Sequence, residues 1–224
     1  MMISEFSARG HNAPIKFRVA DPDDTIQRQF RMGRFYAEPL MRAQMRVMPV
    51  RSVALDIGAN IGNHAVFYAL IAKAKHIFVF EPNPVAHGLL AENIALNDIE
   101  TVDFTHSRFG IGKASARARL RERQPRNLGS VALDQAPEGE VEIRSLDSLD
   151  LPKFDFMKID VEGMEIDVLE GAEKSIRAAR PAIAVEVSAR NNARFWRWCE
   201  RMRYHVVDVA RPHKPYDYLC VPKF

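Results

Sequence analysis

From Val53 onward the chain alternates short, nearly apolar runs with helix-length segments, and few folds accommodate that grammar. Ser52–Ile57 (SVALDI), His76–Phe80 (HIFVF), Phe154–Ile159 (FDFMKI) and Ala182–Val187 (AIAVEV) are too short for ordinary helices. They are also too uniformly apolar for strands with one wet face, so they read as strands buried on both faces. His64–Ala74, Pro84–Asn97, Met164–Ala179 and Asn192–Met202 read as the helices around them. Such alternation predicts an α/β fold: a doubly wound, mostly parallel seven-stranded sheet with helices on both faces, Rossmann-like in kind. Thr101–Thr105 supplies a third strand. Tyr204–Val209 and Tyr216–Val221 supply the last two, joined by a short Pro-containing connection, which predicts an antiparallel strand at the C-terminal edge.

A length of 224 residues suits one such domain with a short extension. Residues 51–224 are read as the catalytic domain and residues 1–50 as an N-terminal helical extension or lid. Within the extension Met1–Ala20 reads as an irregular lead-in. Asp21-Pro22-Asp23-Asp24 offers caps for a helix, or pair of helices, that starts near Thr25, ends before Pro49 and carries Ile26, Phe30, Phe35, Leu40 and Met41. Residues 113–146 interrupt the alternation with a polar, glycine- and proline-bearing insert, expected to hold short strands at Ala114–Leu120, Ser130–Leu133 and Glu140–Ser145. Cys199 and Cys220 lack metal-ligand spacing, which disfavours a zinc site or a disulfide framework and suits a cytoplasmic protein. No apolar stretch approaches the ~20 residues of a membrane span. Net charge is +3, and the basic run Ala116–Arg126 has no interleaved aromatics, so neither feature indicates a nucleic-acid partner.

In a doubly wound sheet ligands bind beyond the carboxyl ends of the strands. The first strand ends in Asp56-Ile57-Gly58-Ala59-Asn60-Ile61-Gly62. A dinucleotide fingerprint counted from Gly58 needs glycines at positions 60 and 63, which hold Asn60 and Asn63. What remains, an acid followed by two spaced glycines, suits S-adenosylmethionine. An acid such as Asp56 can sit near its cationic groups, and turn amides can take its carboxylate. The second strand ends in Phe80-Glu81-Pro82, where a carboxylate can accept both ribose hydroxyls. Glu81 alone serves either cofactor; combined with the failed fingerprint it favours the methyl donor.

LDIGANIGNHAVFYA, VFEPNPVAHGLLAENIALN, SLDSL, FDFMKIDVEGMEIDVLEGAEKSI and RPAIAVEVS follow one another here in the order found in the FkbM-type methyltransferases. RFYAEPLMRAQM also resembles that family's segment before the first strand. The resemblance runs from about Phe35 to Ser188. It implies a class I methyltransferase fold, S-adenosylmethionine as donor with S-adenosylhomocysteine as product, and usually a hydroxyl oxygen as acceptor. By motif it implies Asp56, Gly58, Ala59, Asn60 and Gly62 on the methionine side, Glu81 and Pro82 at the ribose, and Ser107 or Arg108 near adenine. Asp160 and Glu162 fall at the mouth by the fourth strand.

A hydroxyl acceptor needs a base within hydrogen-bond reach. Asp160, Glu162 and Glu186 all lie at strand ends, and Asp160 is preferred. Two other uses stay open for these acids. One is a divalent metal held by Asp160, Glu186 and Glu162, which is not favoured because no His joins them in a ligand spacing. The other is Glu162 as a cap of the following helix. His64 and His106 are alternative bases. Phe195 and Trp198 share a helix face and read as core, as do Met41, Met45 and Met48. The Pro-Pro-aromatic run of enzymes that methylate base amines is replaced by Asp160-Val161-Glu162-Gly163, so a small-molecule or glycan hydroxyl is the expected substrate. A nicotinamide oxidoreductase and a non-catalytic cofactor-binding protein are the competing readings. The oligomeric state, a homodimer among the options, is not written in the sequence.

Overall fold

A computed structural model describes residues 2–124, 127–211 and 215–223. The chain opens with a strand pair where an irregular, otherwise helical extension was expected. β1 (Met2–Phe6) and β2 (Ile15–Val19) run antiparallel with Phe6 opposite Ile15. Ile15, Phe17 and Val19 alternate inward along β2, a period-two signal that a five-residue strand makes easy to miss. Phe17 stacks on Phe30 with centroids 3.8 Å apart, and Phe35 meets Phe6, Phe17 and Phe67 edge-on. Two short helices follow, α1 (Gln27–Arg31) and α2 (Glu38–Gln44). Phe30, Phe35 and Met41 from this segment join one continuous core with Val66, Phe67 and Leu90, so the extension is packed onto the sheet's helical layer.

β3 (Val53–Ile57) is buried at every position, as its apolar run requires. α3 (Asn63–Leu70), β4 (His76–Phe80), α4 (Pro84–Leu96) and the short β5 (Val102–Asp103) follow. Asn83 caps α4 by accepting the Val85 N–H at 3.0 Å, with Pro84 at the first helical position. The insert forms its own sheet from β6 (Gly110–Ile111), β7 (Ala116–Glu122), β8 (Val131–Gln135) and β9 (Val141–Arg144), in the order β6-β9-β7-β8. The basic run is therefore mostly the half-exposed β7, and its last residues, Pro125 and Arg126, lie outside the described residues.

After the insert come β10 (Phe156–Ile159), α5 (Glu165–Glu170), α6 (Glu173–Ala179), β11 (Ala182–Val187), α7 (Asn192–Met202), β12 (Tyr204–Arg211) and β13 (Tyr216–Pro222). The single helix expected over Met164–Ala179 is two. The break falls at Gly171, where a Cβ would lie 2.0 Å from the Gly112 carbonyl oxygen, so the insert's backbone presses on the helix at that point. Asp147 then caps α6, accepting the N–H groups of Lys174 and Ser175 at 2.9 and 2.8 Å.

The main sheet has seven strands in the order β12-β13-β11-β10-β3-β4-β5. β11, β10, β3, β4 and β5 are parallel, and β13 is slotted antiparallel between β11 and the edge strand β12. The linker residues 212–214 lie outside the described residues. One core lies under α1–α4 and the other under α5–α7, where Phe195, Trp198 and Met202 are buried. Both cysteines are buried and free. Among the described residues no helix is long and apolar enough to cross a membrane.

Candidate active site

The parallel order reverses beside β3, so the turns after β3, β4 and β10 open on a common crevice. A cavity of about 410 Å³ lies there. Its floor is Gly58, Asn60, Glu81, Pro82, Asp160 and Val161, from the ends of those three strands. Its roof comes from two places. Leu120, Arg123 and the 127–131 loop descend from the insert; Ile26, Tyr36 and Leu40 come from the N-terminal segment. Asp24 ties the two together. One of its carboxylate oxygens accepts the Ile26 and Gln27 N–H groups, and the other accepts the Leu128 N–H at 2.9 Å.

The turn after β3 explains its glycine. Gly58 has φ +79°, and a Cβ there would stand 1.8 Å from the Asp160 carbonyl oxygen. Only glycine lets the β3 and β10 ends approach this closely. Asn60 also sits in the left-handed region, φ +49°, a conformation asparagine tolerates better than most residues. The Gly58 and Ala59 N–H groups are held by the Phe80 carbonyl, and the Asn60 N–H by Glu81 Oε2 at 2.8 Å. Glu81 Oε1 accepts the Asn83 N–H, also at 2.8 Å. Burial pushes the Glu81 pKa up to about 7, against the opposing pull of the Asn83 and Asn60 N–H groups and the Lys158 ammonium.

Of the residues expected at the cofactor, Gly58, Asn60, Glu81 and Pro82 line the cavity, whereas Asp56, Ala59, Gly62, Ser107 and Arg108 do not. Asp56 has no exposed surface and lies beneath the turn, 3.1 Å from Lys158 Nζ. Ser107 faces inward as well. Its hydroxyl meets the Phe104 carbonyl and His87, and its own carbonyl accepts the Glu81 N–H. Phe109, two residues further, presents its ring to the cavity instead.

Asp160, Glu162 and Glu186 all line the cavity, as does Asp217. Glu162 does not cap α5, whose N-cap residue is Met164 and carries no side-chain cap. Its carboxylate is drawn to Arg123 at 3.0 Å across the cavity mouth, and burial together with Asp160 raises its pKa. Among the described residues no group of three or more His, Cys, Asp or Glu is arranged around a metal position. His64 lines the cavity, and burial followed by the Lys158 charge lowers its pKa to about 4, so the imidazole is neutral. His106 lies outside the cavity, against Phe109.

Lys158 went unnoticed in the sequence, although an ammonium inside FMKI was a visible anomaly. Arg123 and the 127–131 loop left no local signal. The residues lining the cavity fit the groups of the expected cofactor. Asn60 Oδ1 is buried without a hydrogen-bond partner, an orphan acceptor suited to an ammonium, and the Glu81 carboxyl group supplies a second acceptor. Ile57, Phe80 and Phe109 give apolar walls for a flat base.

The methyltransferase FkbM domain family matches residues 56–211. Among curated proteins, hexuronic acid methyltransferase AglP of Haloferax volcanii is 29% identical over 144 residues, covering 61% of this chain and 56% of that protein. Methyltransferase sdnD of Sordaria araneosa is 26% identical over 162 residues, covering 57% and 62%. The chain thus spans less than two thirds of the length of these relatives. Methyltransferase FkbM from Methylobacillus flagellatus superposes with a TM-score of 0.56 at 18% identity, over 76% of this chain and 43% of that one. Precorrin-6y C5,15-methyltransferase from Geobacter metallireducens gives 0.55 at 19%, over 92% and 94%. At these identities the superpositions establish a class I methyltransferase fold.

Proposed function

The chain belongs to the FkbM methyltransferase family, and from that premise we propose that it methylates a hydroxyl oxygen of a small molecule or sugar using S-adenosylmethionine. The observation that carries this reading is that Gly58, Asn60 and Glu81 line the same cavity as the carboxylates Asp160 and Glu186. The uronic-acid methyltransferase among its relatives supports a sugar acceptor.

Bound S-adenosylmethionine supplies an electrophilic methyl on a sulfonium, and its leaving group is neutral. The chain's residues then have to align the reactants, exclude water and receive one proton. Glu81 accepts the ribose hydroxyls, and Asn60 receives the ammonium. Asp160, at the mouth, takes the acceptor's hydroxyl proton as the new carbon–oxygen bond forms. The N-terminal segment, residues 1–50, serves with the insert as the cover that keeps water out. Residues 51–224 form the catalytic domain. A cytoplasmic setting suits two unpaired thiols.

Incubation with methyl-tritiated donor and a panel of neutral and acidic sugars and hydroxylated small molecules tests this. Label is expected to move onto a hydroxyl acceptor. Asp160→Asn is expected to lower turnover about 10²–10⁴-fold while S-adenosylhomocysteine affinity stays within about threefold. Tight NADH binding in place of S-adenosylhomocysteine would overturn the reading.

Glu81 also sets a pH dependence. Ribose hydroxyls donate to the ionised carboxylate, and the Glu81 pKa is raised to about 7. Below that pH, binding must first expel a proton. Calorimetric affinity for S-adenosylhomocysteine is expected to climb from pH 6 to 8 and then level, falling about tenfold per unit on the acid side. A dissociation constant unchanged across that interval would show that Glu81 does not contact the cofactor.

A further inference from the structure

Lys158 is buried beneath the floor of the catalytic crevice and contributes nothing to the binding steps described above. It is the third residue of β10, and across the parallel ladder it stands beside Asp56 of β3. Its side chain is 6% exposed. The ammonium reaches Asp56 Oδ1 at 3.1 Å, donates to the Gly58 carbonyl at 2.7 Å, and lies 3.9 Å from Asp160 Oδ2. It therefore touches the acid under the turn, the turn itself and the carboxylate at the mouth.

An ammonium is costly to bury, and an aliphatic side chain would pack in an otherwise apolar strand without that cost. Burial alone would push the Lys158 pKa down, but Asp56, Asp160 and Glu186 outweigh it and hold the pKa above its ordinary value. The lysine is thus a cation at neutral pH, with fixed donors. Of the three groups around the ammonium, the Gly58 carbonyl is the one that belongs to the turn's backbone. That bond anchors the carbonyl of Gly58, whose backbone has φ +79° and packs directly against the end of β10.

We propose that Lys158 is a positioning residue that clamps the Gly58 turn and the Asp160 carboxylate to one charge, setting both the cofactor cradle and the base. This rests on the methyltransferase reading. Loss of the ammonium frees the turn to tilt, and the field that Asp160 and the sulfonium feel becomes more negative. Binding of the cationic donor should then change relative to binding of the neutral product, which loss of packing alone would not cause.

The test compares four proteins: unaltered, Asp56→Asn, Lys158→Met and the double variant Asp56→Asn/Lys158→Met. Each is assayed by thermal unfolding and by calorimetric titration with S-adenosylmethionine and with S-adenosylhomocysteine. Lys158→Met alone is expected to unfold well below the unaltered protein, because Asp56 is left buried without its cation. The double variant removes both charges and is expected to recover most of the melting temperature. It should bind S-adenosylhomocysteine at least tenfold more weakly than Asp56→Asn, with the donor-to-product affinity ratio raised at least threefold. Equal affinities and ratios in the double variant and Asp56→Asn would overturn the clamp and leave Lys158 a counterion. The unaltered protein gives a second measurement that needs no variant to fold. The Lys158 Nζ resonance is expected to shift when S-adenosylhomocysteine binds, and an unmoved resonance would also overturn the clamp. Failure of the unaltered protein to bind either molecule would overturn the cofactor reading itself, and the clamp with it.

Discussion

Glu81→Ala is expected to weaken S-adenosylhomocysteine binding at least about a hundredfold at pH 8, measured by calorimetry. Two ribose hydroxyls donating to an ionised, buried carboxylate form charge-assisted bonds of about 1.5–3 kcal/mol each. Loss of both corresponds to a hundredfold or more, since each ~1.4 kcal/mol is tenfold. The same side chain also holds the Asn60 and Asn83 N–H groups at 2.8 Å. Its removal loosens the turn that meets the rest of the cofactor. Glu81→Gln separates the two contributions: it keeps an acceptor oxygen but loses the charge, so its affinity should fall between the two proteins and lose its dependence on pH from 6 to 8. Binding by Glu81→Ala within threefold of the unaltered protein would remove Glu81 from the cofactor site.

Gly58→Ala is the second large effect, and it acts on the fold before the site. The added methyl would stand 1.8 Å from the Asp160 carbonyl oxygen, and the backbone there has φ +79°. The left-handed conformation alone costs an L-residue about 1–2 kcal/mol. The overlap is with backbone at the junction of two central strands, which no side-chain rotation relieves, and overpacking of that kind costs about 1–3 kcal/mol more. A loss of roughly 3 kcal/mol or greater in urea denaturation is expected, with cofactor binding abolished. Gly88→Ala is the control. It lies within α4, a Cβ there meets nothing within 4 Å, and it should stabilise by up to about 1 kcal/mol. Equal stability of Gly58→Ala and the unaltered protein would mean that the β3 and β10 ends do not meet as described.

Much of this architecture is written locally. The buried strands are short apolar runs, and Ala182–Val187 and Asn192–Met202 have the same bounds in the sequence reading and in the structure. Three strands in the insert follow from glycine and proline spacing, within a few residues of β7, β8 and β9. The misses are equally physical. β1 and β2 are each only five residues long, and a pair that short shows a weak pattern until Phe30 and Phe35 cover it. The break between α5 and α6 reflects the pressure of Gly112 on Gly171, two residues with no relation in sequence.

The site divides along the same line. That the chain has an acid-bearing glycine turn after one strand and a glutamate after the next was legible, because turn chemistry and strand ends are local properties. So was the failure of the dinucleotide fingerprint at Asn60 and Asn63. Which side chains face the cavity was not. Asp56 points beneath the turn because register sets it beside Lys158, 102 positions away in the chain. Phe109 lines the cavity, whereas the Ser107 hydroxyl is engaged by Phe104 and His87 and its carbonyl by the Glu81 N–H. Arg123 reaches Glu162 only because a separate sheet folds over the crevice. Periodicity and turn residues act over a few positions, and from them the sequence by itself determined the α/β fold, the glycine turn and the strand-end glutamate beside it. Pairing register and the path of the insert arise from contacts between distant segments, and these alone decided the orientation of Asp56, the clamp at Lys158 and the roof of the cavity.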